Sequence, residues 1–402
     1  MADKFYFSRD TEVYLMTGVA ANNSSAATSW KIPVLDGFSF SQGTNTSEIA
    51  LQEMSDGSGK SRRSRQMFTD SYAPAEWSFQ TYMRPFISTL GATNGWEKSG
   101  GTAQHHAVEE ALWAHFASAP TFTASVASPA AAASWNKGVD NSASSMIVDF
   151  VDSEVPALGT FDLFFEFGAV TGGSGATGPS YYRMIDCVVN SVSIDFDIDG
   201  IATITWSGFA SQIKDETGLP GSITSEIEEA FDKTNNFIRN RLTQLTVQAA
   251  DTTTFPGGSP AGKYDMVLTG GNITMENNIT YLTPETLGVV NLPLGHVTGT
   301  RNVSGNFTCY LNNEAGGSAD LFEDIIEANT VVTNSFDVDF LIGGTSGPNV
   351  KVELPRCHFE VPTHSIDDII SVQTNFHALP ASVDPSSADN FEAKVTYTGI
   401  AY

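Results

Sequence analysis

Asp195-Phe-Asp-Ile-Asp199-Gly200 places carboxylates at positions one, three and five and a glycine at six, as a calcium-binding loop begins. The bidentate glutamate required at position twelve is missing, because Trp206 stands there, and no helical pattern flanks the segment. The three aspartates are therefore expected on the solvated face of a strand. Gly59-Lys60-Ser61 is similar to the end of a phosphate-binding loop, but Met54 occupies the place of that motif's first glycine. The segment reads better as a basic tip formed by Lys60, Arg62, Arg63 and Arg65, a dense cluster in a chain with only 20 Lys and Arg. Such a tip can dock on the acidic surface of a neighbouring subunit, where complementary charge fixes register; the alternative is a plain solvated loop. His105-His106, and Cys357-His358 with His364, lack the paired spacing of a zinc site and read as ordinary residues. No nucleophile elbow, metalloprotease helix motif or dinucleotide fingerprint occurs. The expectation is a protein without catalytic residues, bound metal or cofactor.

The elements that carry these residues are read from periodicity. From Val188 to Asp199 apolar and polar residues alternate. Val188, Val192, Ile194, Phe196 and Ile198 fall on one face, with Asn190 the exception, and Ser191, Ser193, Asp195, Asp197 and Asp199 fall on the other. Gly200 reverses the chain, after which Ile204 and Trp206 oppose Thr203, Thr205 and Ser207. Trp77 and Phe79 alternate with Ser78 and Gln80 in the same way, as do Ile273 and Met275 with Asn272, Thr274 and Glu276. Antiparallel sheets with one solvated face produce this pattern. Two short helices are expected. In one, Val108, Ala111, Leu112 and Phe116 oppose Glu109, Glu110 and His115; in the other, Leu321, Phe322, Ile325 and Ile326 oppose Asp320, Glu323, Asp324 and Glu327.

These segments occur twice in the same order. Phe5-Tyr-Phe-Ser-Arg9 matches Phe237-Ile-Arg-Asn-Arg241, Glu76 to Tyr82 matches Gly305 to Tyr310, and the apolar run at 160–169 matches that at 335–344. A long turn-rich stretch follows the first strands of each copy, Gly43 to Pro74 and Leu282 to Val303, and both exceed the usual hairpin range. The second is apolar and Pro-punctuated, with Val289 and Leu292 as candidate contacts. The fold expected is mainly β: two tandem, homologous β-sandwich or barrel domains, each with one flanking helix. Residues 1–215 form the first, 216–236 a linker and 237–402 the second.

Composition narrows the function. The 402 residues are 41% hydrophobic and 11% aromatic, enough for two cores, yet only 16% are charged and the net charge is -26. A sparse, acidic charge set is a poor footprint for nucleic-acid binding, which needs basic patches against phosphate. Cys187, Cys309 and Cys357 are odd in number and far apart, so reduced, core-like thiols are expected rather than a disulfide framework. The start, Met1-Ala-Asp-Lys-Phe, shows no secretory h-region and no run reaches membrane-span length, so the expectation is a reducing cytoplasm without membrane insertion.

Three motifs carry a family resemblance over nearly the whole chain. Ala75-Glu-Trp-Ser-Phe-Gln-Thr-Tyr-Met-Arg-Pro-Phe86, Thr269-Gly-Gly-Asn-Ile-Thr-Met-Glu-Asn-Asn-Ile-Thr-Tyr-Leu-Thr-Pro284 and Ile204-Thr-Trp-Ser-Gly208 resemble the tail tube proteins of bacteriophages with long, non-contractile tails, in their duplicated-domain form. The resemblance implies a structural virion protein assembled in the host cytoplasm. Strands of neighbouring domains would join around a channel, six domains would make a ring, and three chains would supply them. Stacked rings would conduct double-stranded DNA without binding it specifically. The implied partners are further copies of the chain and the tape measure, initiator (baseplate) and terminator proteins of the tail. Ser191, Ser193, Asp195, Asp197, Thr203 and Thr205 would line the channel. Lys60, Arg62, Arg63, Arg65, Val289 and Leu292 would reach between rings. The competing expectation is a soluble, ligand-binding or adhesin-like β-sandwich module.

Overall fold

The structure is a computed structural model. It describes residues 6–400 apart from 50–56, 59–65, 90–101, 124–133, 151–157, 169–177, 222–235, 251, 253–254, 259, 284–286, 288–290, 328–335, 367–368 and 383–390. Antiparallel strands dominate. In the first half of the chain the strands that matter here are β1 (Ser39–Glu48), β2 (Met67–Tyr82), β3 (Met146–Val148), β4 (Ser180–Asp197) and β5 (Thr203–Ala210). In the second half they are β6 (Leu268–Glu276), β7 (Asn302–Tyr310), β8 (Asn349–Phe359), β9 (Thr363–Ser365), β10 (Ser371–Leu379) and β11 (Lys394–Thr398). The helices among the described residues are α1 (Glu110–Ala117) and α2 (Ser318–Glu327).

One sheet runs through both halves. Its spatial order is β1, β2, β5, β4, β6, β7, β10, and then β8 with β9. The alternation seen in the sequence sets its two faces. Trp77, Phe79, Val192, Ile194, Trp206, Ile273, Met275, Phe307 and Phe376 point into the core and are at most 2% exposed. A second layer covers them. It is built in the first half from Thr11–Thr17, Thr28–Ile32 and Phe161–Phe167, and in the second from Gln244–Ala249, Lys263–Met266 and Phe336–Ile342. β4 and β8 belong to both layers, since their first halves pair with the covering strands and their second halves with the through-going sheet.

The pairing pattern of the first half recurs in the second. Tyr82 stands opposite Thr203, and Tyr310 opposite Ser371. A bulge separates Phe161 from Leu163 where Phe161 meets Cys187, and another separates Phe336 from Val338 where Phe336 meets Cys357. At equivalent cross-strand pairs an aromatic ring lies over a glycine: Trp77 faces Gly208, and Phe376 faces Gly305, with ring and glycine on exchanged strands. A Cβ on either glycine would come within 2.6 Å of that ring. Large apolar volume on one strand thus requires none on its partner.

Among the described residues, two strand ladders cross the expected boundary between the halves. β4 joins β6 over seven residues, from Ser191 opposite Glu276 to Asp197 opposite Gly270. The C-terminal strand β11 pairs with β8 and also reaches back to β3.

Four expectations need correction. The polar side of the first helix does not face solvent: Glu109, Glu110 and His115 are all at most 2% exposed. The chain wraps this helix, and several of its polar groups are met by other parts of the protein. Trp113 Nε1 donates to the Tyr397 hydroxyl at 2.8 Å, and His106 Nδ1 lies 2.8 Å from Glu110 Oε2. Ile326 of α2 is 61% exposed and does not join the core. The described residues of the stretch Gly43 to Pro74 are mostly strand, because β1 and β2 continue into it as a ribbon. Finally, Val188 and Ile198 leave the dry face. A bulge at Asn190 shifts the register, so Val189 enters the main core while Val188 packs with Leu158 and Ile279 in a separate cluster. Ile198 sits in the turn beyond the sheet and is 44% exposed.

Candidate functional site: a polar wall across both halves

The outer face of the through-going sheet is lined by short polar side chains in cross-strand rows. One row runs Ser39, Ser78, Ser207, Ser191, Glu276, Asn302. The next runs Gln80, Thr205, Ser193, Thr274, Ser304, His377, His358. A third runs Tyr82, Thr203, Asp195, Asn272, Asn306, Asn375. All six residues singled out from the sequence, Ser191, Ser193, Asp195, Asp197, Thr203 and Thr205, lie on this face. Directly opposed residues in adjacent strands share a face, so the rows are continuous through the β4–β6 junction.

Side-chain hydrogen bonds tie the rows together. Gln80 Nε2 donates to Thr205 Oγ1 at 3.0 Å, Asn272 Nδ2 to Ser193 Oγ at 2.8 Å, and Thr274 Oγ1 to Asn272 Oδ1 at 2.7 Å. Asn272 also donates to the Asp195 carboxylate. Two of these bonds cross from one half of the chain to the other. At the end of β6, Asn277 fixes the Asn190 bulge: its side-chain amide donates to the carbonyls of Phe116 at 3.0 Å and Val189 at 3.3 Å. Ile279 N–H donates to Asn190 Oδ1 at 2.8 Å. The broken alternation at Asn190 was the sequence's only sign of this lock.

The wall is acidic. Glu76, Asp195, Asp197, Glu276 and Glu360 stand on or beside the rows, and none of the three rows contains a lysine or arginine. Arg356 lies on the same face, opposite Leu379 and in line with the first row, and donates to the Pro355 carbonyl at 3.1 Å. Over the three rows themselves a phosphate chain meets no lysine or arginine with which to exchange counterions; Arg356 at one end is the exception among the described residues.

The remaining candidates are dispersed. Lys60, Arg62, Arg63, Arg65 and Val289 lie outside the described residues. Leu292 is 37% exposed and follows Asn291, whose carbonyl accepts from Tyr72 N–H at 3.0 Å. The second long stretch therefore leans on the β1–β2 ribbon. That ribbon carries exposed apolar groups: Met67 is 57% and Phe68 62% exposed. Cys187, Cys309 and Cys357 are buried free thiols, and burial pushes each above its ordinary value. His105 is buried and its Nδ1 accepts from Gly399 N–H at 2.9 Å, so it holds the C-terminal end in place. Sequence reading missed this role of His105, and that of Trp113, because their partners lie 294 and 284 residues away.

Comparison with known proteins gives the arrangement a context. The family described as phage tail tube protein matches residues 99–397. The tail tube protein pb6 of Escherichia phage T5 is 27% identical over 400 residues, covering 98% of this chain and 77% of the phage protein.

Proposed function

The chain belongs to the phage tail tube protein family, and on that premise we propose that three copies close a ring whose bore is the polar wall. It is a structural component of the phage tail, and a non-enzymatic role follows from that family. Rings of this kind stack into the conduit for genomic DNA.

The observation that carries the reading is the β4–β6 ladder. In the through-going sheet, β4 at the edge of the first half's strands pairs with β6 at the edge of the second half's, and both faces continue across the join. The same kinds of edge stand at the two ends of the sheet: β1 at one, and β8 with β9 at the other. Open edges recruit strands from other chains. A head-to-tail join of β9 to the next chain's β1 would repeat the internal join, and a repeated rotation either closes a ring or continues as a helix. Residues 1–215 and 237–402 would then act as equivalent tandem domains, six to a ring from three chains. The wall would line the channel with Ser191, Ser193, Asp195, Asp197, Thr203 and Thr205. The β1–β2 ribbon and Leu292 beside it, together with Lys60, Arg62, Arg63, Arg65 and Val289, would contact the adjacent ring. The chain would assemble in the host cytoplasm with tape measure, initiator and terminator proteins.

Native mass spectrometry of rings released from tails tests the stoichiometry. The expected particle contains three chains. A particle of six chains, or a chain that stays monomeric beside tail initiator components, would overturn it.

A further inference from the structure

Within the chain, the turn that follows β4 is seated on the segment that opens the second half. Ala202 N–H donates to the Ile238 carbonyl at 2.9 Å and Asn240 N–H to the Gly200 carbonyl at 3.1 Å. Between these bonds Ile201 and Arg239 form an antiparallel bridge. Arg241 Nη1 lies 3.3 Å from Asp199 Oδ1. The seat leaves Ile238 only 1% exposed. Nearby, Tyr82 packs edge-on against Phe237 with centroids 5.3 Å apart.

The counterparts of both partners exist, and within one chain they do not meet. The counterpart of the turn lies between the paired residues Ser365 and Ser371. There Ile366 is 81%, Ile369 62% and Ile370 38% exposed. The counterpart of Tyr82 is Tyr310, 37% exposed. The counterpart of the seat is the segment before the short 3-10 turn Ser8–Asp10, which matches the turn Asn240–Leu242. Tyr6 and Phe7 are each 52% exposed there, although Tyr6 holds the place of the buried Ile238. The Arg9 side chain is 79% exposed, with Asp10 as its ion-pair neighbour at 3.7 Å.

Resting on the ring reading above, we propose that Ile369 and Ile370 of one chain seat on Tyr6–Arg9 of the next. The ladders fix the register. Thr203 and Ser371 occupy equivalent places opposite Tyr82 and Tyr310, so counting back aligns Ile201 with Ile369 and Ala202 with Ile370. The 3-10 turns align Arg239 with Phe7 and Ile238 with Tyr6. Ile369 therefore lies opposite Phe7 of the neighbouring chain, and Ile370 N–H donates to its Tyr6 carbonyl. Where the internal seat sets isoleucine against arginine, the seat between chains sets isoleucine against phenylalanine. The partner is a second copy of this chain, because only it supplies a segment of this register at the end of the same sheet. An apolar contact suits this place, since both surfaces are left wet in a single chain and become dry only on assembly.

The bridge is a non-hydrogen-bonded pair, in which the two Cα atoms approach to about 4.5 Å and side chains are closest. Paired cysteines there can oxidise. The double variant Phe7→Cys, Ile369→Cys, assembled into tubes and oxidised, should run on a non-reducing gel mainly as covalent multimers ending at the trimer, with monomer only before assembly. The native thiols are buried and should add no background. The variant Ile201→Cys, Arg239→Cys should oxidise within the chain and serves as the control. Tubes of the double variant that remain monomeric on the gel while the control oxidises would overturn the proposal. A chain that forms no rings in unmodified form would instead strike the ring reading beneath it. The single variant Ile369→Ser, should the double variant fail to fold, is expected to unfold at the temperature of the unmodified chain and yet assemble at least tenfold more slowly. Unchanged assembly would contradict the contact.

Discussion

At the residue scale, two buried titratable groups beside one helix oppose each other. Burial pushes Glu109 up to about 7 from its ordinary 4.5, against the opposing pull of the Tyr397 hydroxyl and the Arg84 guanidinium. The fold therefore binds more protons than the unfolded chain between those values, and stability falls as pH rises through that window. Burial lowers His115 to about 4 from 6.5, although its ring bonds the Gly159 carbonyl at 3.0 Å. There the unfolded chain holds the extra proton, so stability falls as pH drops from 6.5 to 4. The two slopes largely cancel between about pH 4.5 and 6.5. Glu109→Gln removes one of them. Relative to the unmodified chain, the variant should gain stability as pH rises from 4.5 to 7, by roughly 1.4 kcal/mol per pH unit. Denaturant unfolding across that range checks this, and a constant difference would contradict it. Gly208 carries a different demand. A Cβ there would sit 2.0 Å from the Val188 carbonyl and 2.6 Å from the Trp77 ring. Gly208→Ala should cost at least about 2 kcal/mol, as overpacking does, and appear as a lowered unfolding midpoint.

At the element scale, the C-terminal strand β11 is the tie between the halves. Its Tyr397 is fully buried, and its hydroxyl accepts from Trp113 on α1. Tyr397→Phe strands a buried indole N–H and should cost about 1–3 kcal/mol. Paired thermal melts of Tyr397→Phe and the double variant with Trp113→Phe would show the second change costing much less than it does alone. Strands with one wet face were legible in the sequence, because period-two alternation at Val192 to Asp197 or Ile273 to Glu276 reports burial directly. What was not legible depended on partners distant in the chain. The helix at Glu110 looked amphipathic only because nothing local reveals that β3, β11 and Asn277 enclose it. Val188 was misplaced because a bulge changes which side chains share a face without changing composition. The ribbon beyond Gly43 was read as a loop, since residues exposed on both faces do not alternate.

At the scale of the whole molecule, the wall sequence was readable and its continuity was not. Alternation identified Ser191, Ser193, Asp195 and Asp197 as one wet face, but only the pairing with β6 shows that Asn272, Thr274 and Glu276 extend it. If this wall faces the DNA, its lack of lysine and arginine in the rows governs passage. Asp195→Lys with Asp197→Lys supplies cations that pair with phosphate, so tails built from that variant should eject DNA more slowly, with the delay shrinking as salt rises. Ejection followed by dye binding in released DNA would read this, and an unchanged rate from intact tails would count against it. A density map of the assembled tube at side-chain resolution tests the central claim most directly. The row Gln80, Thr205, Ser193, Thr274, Ser304 and His377 should face the bore in every domain pair. The same row on the outer surface of the tube, with the bore lined by other strands, would contradict it.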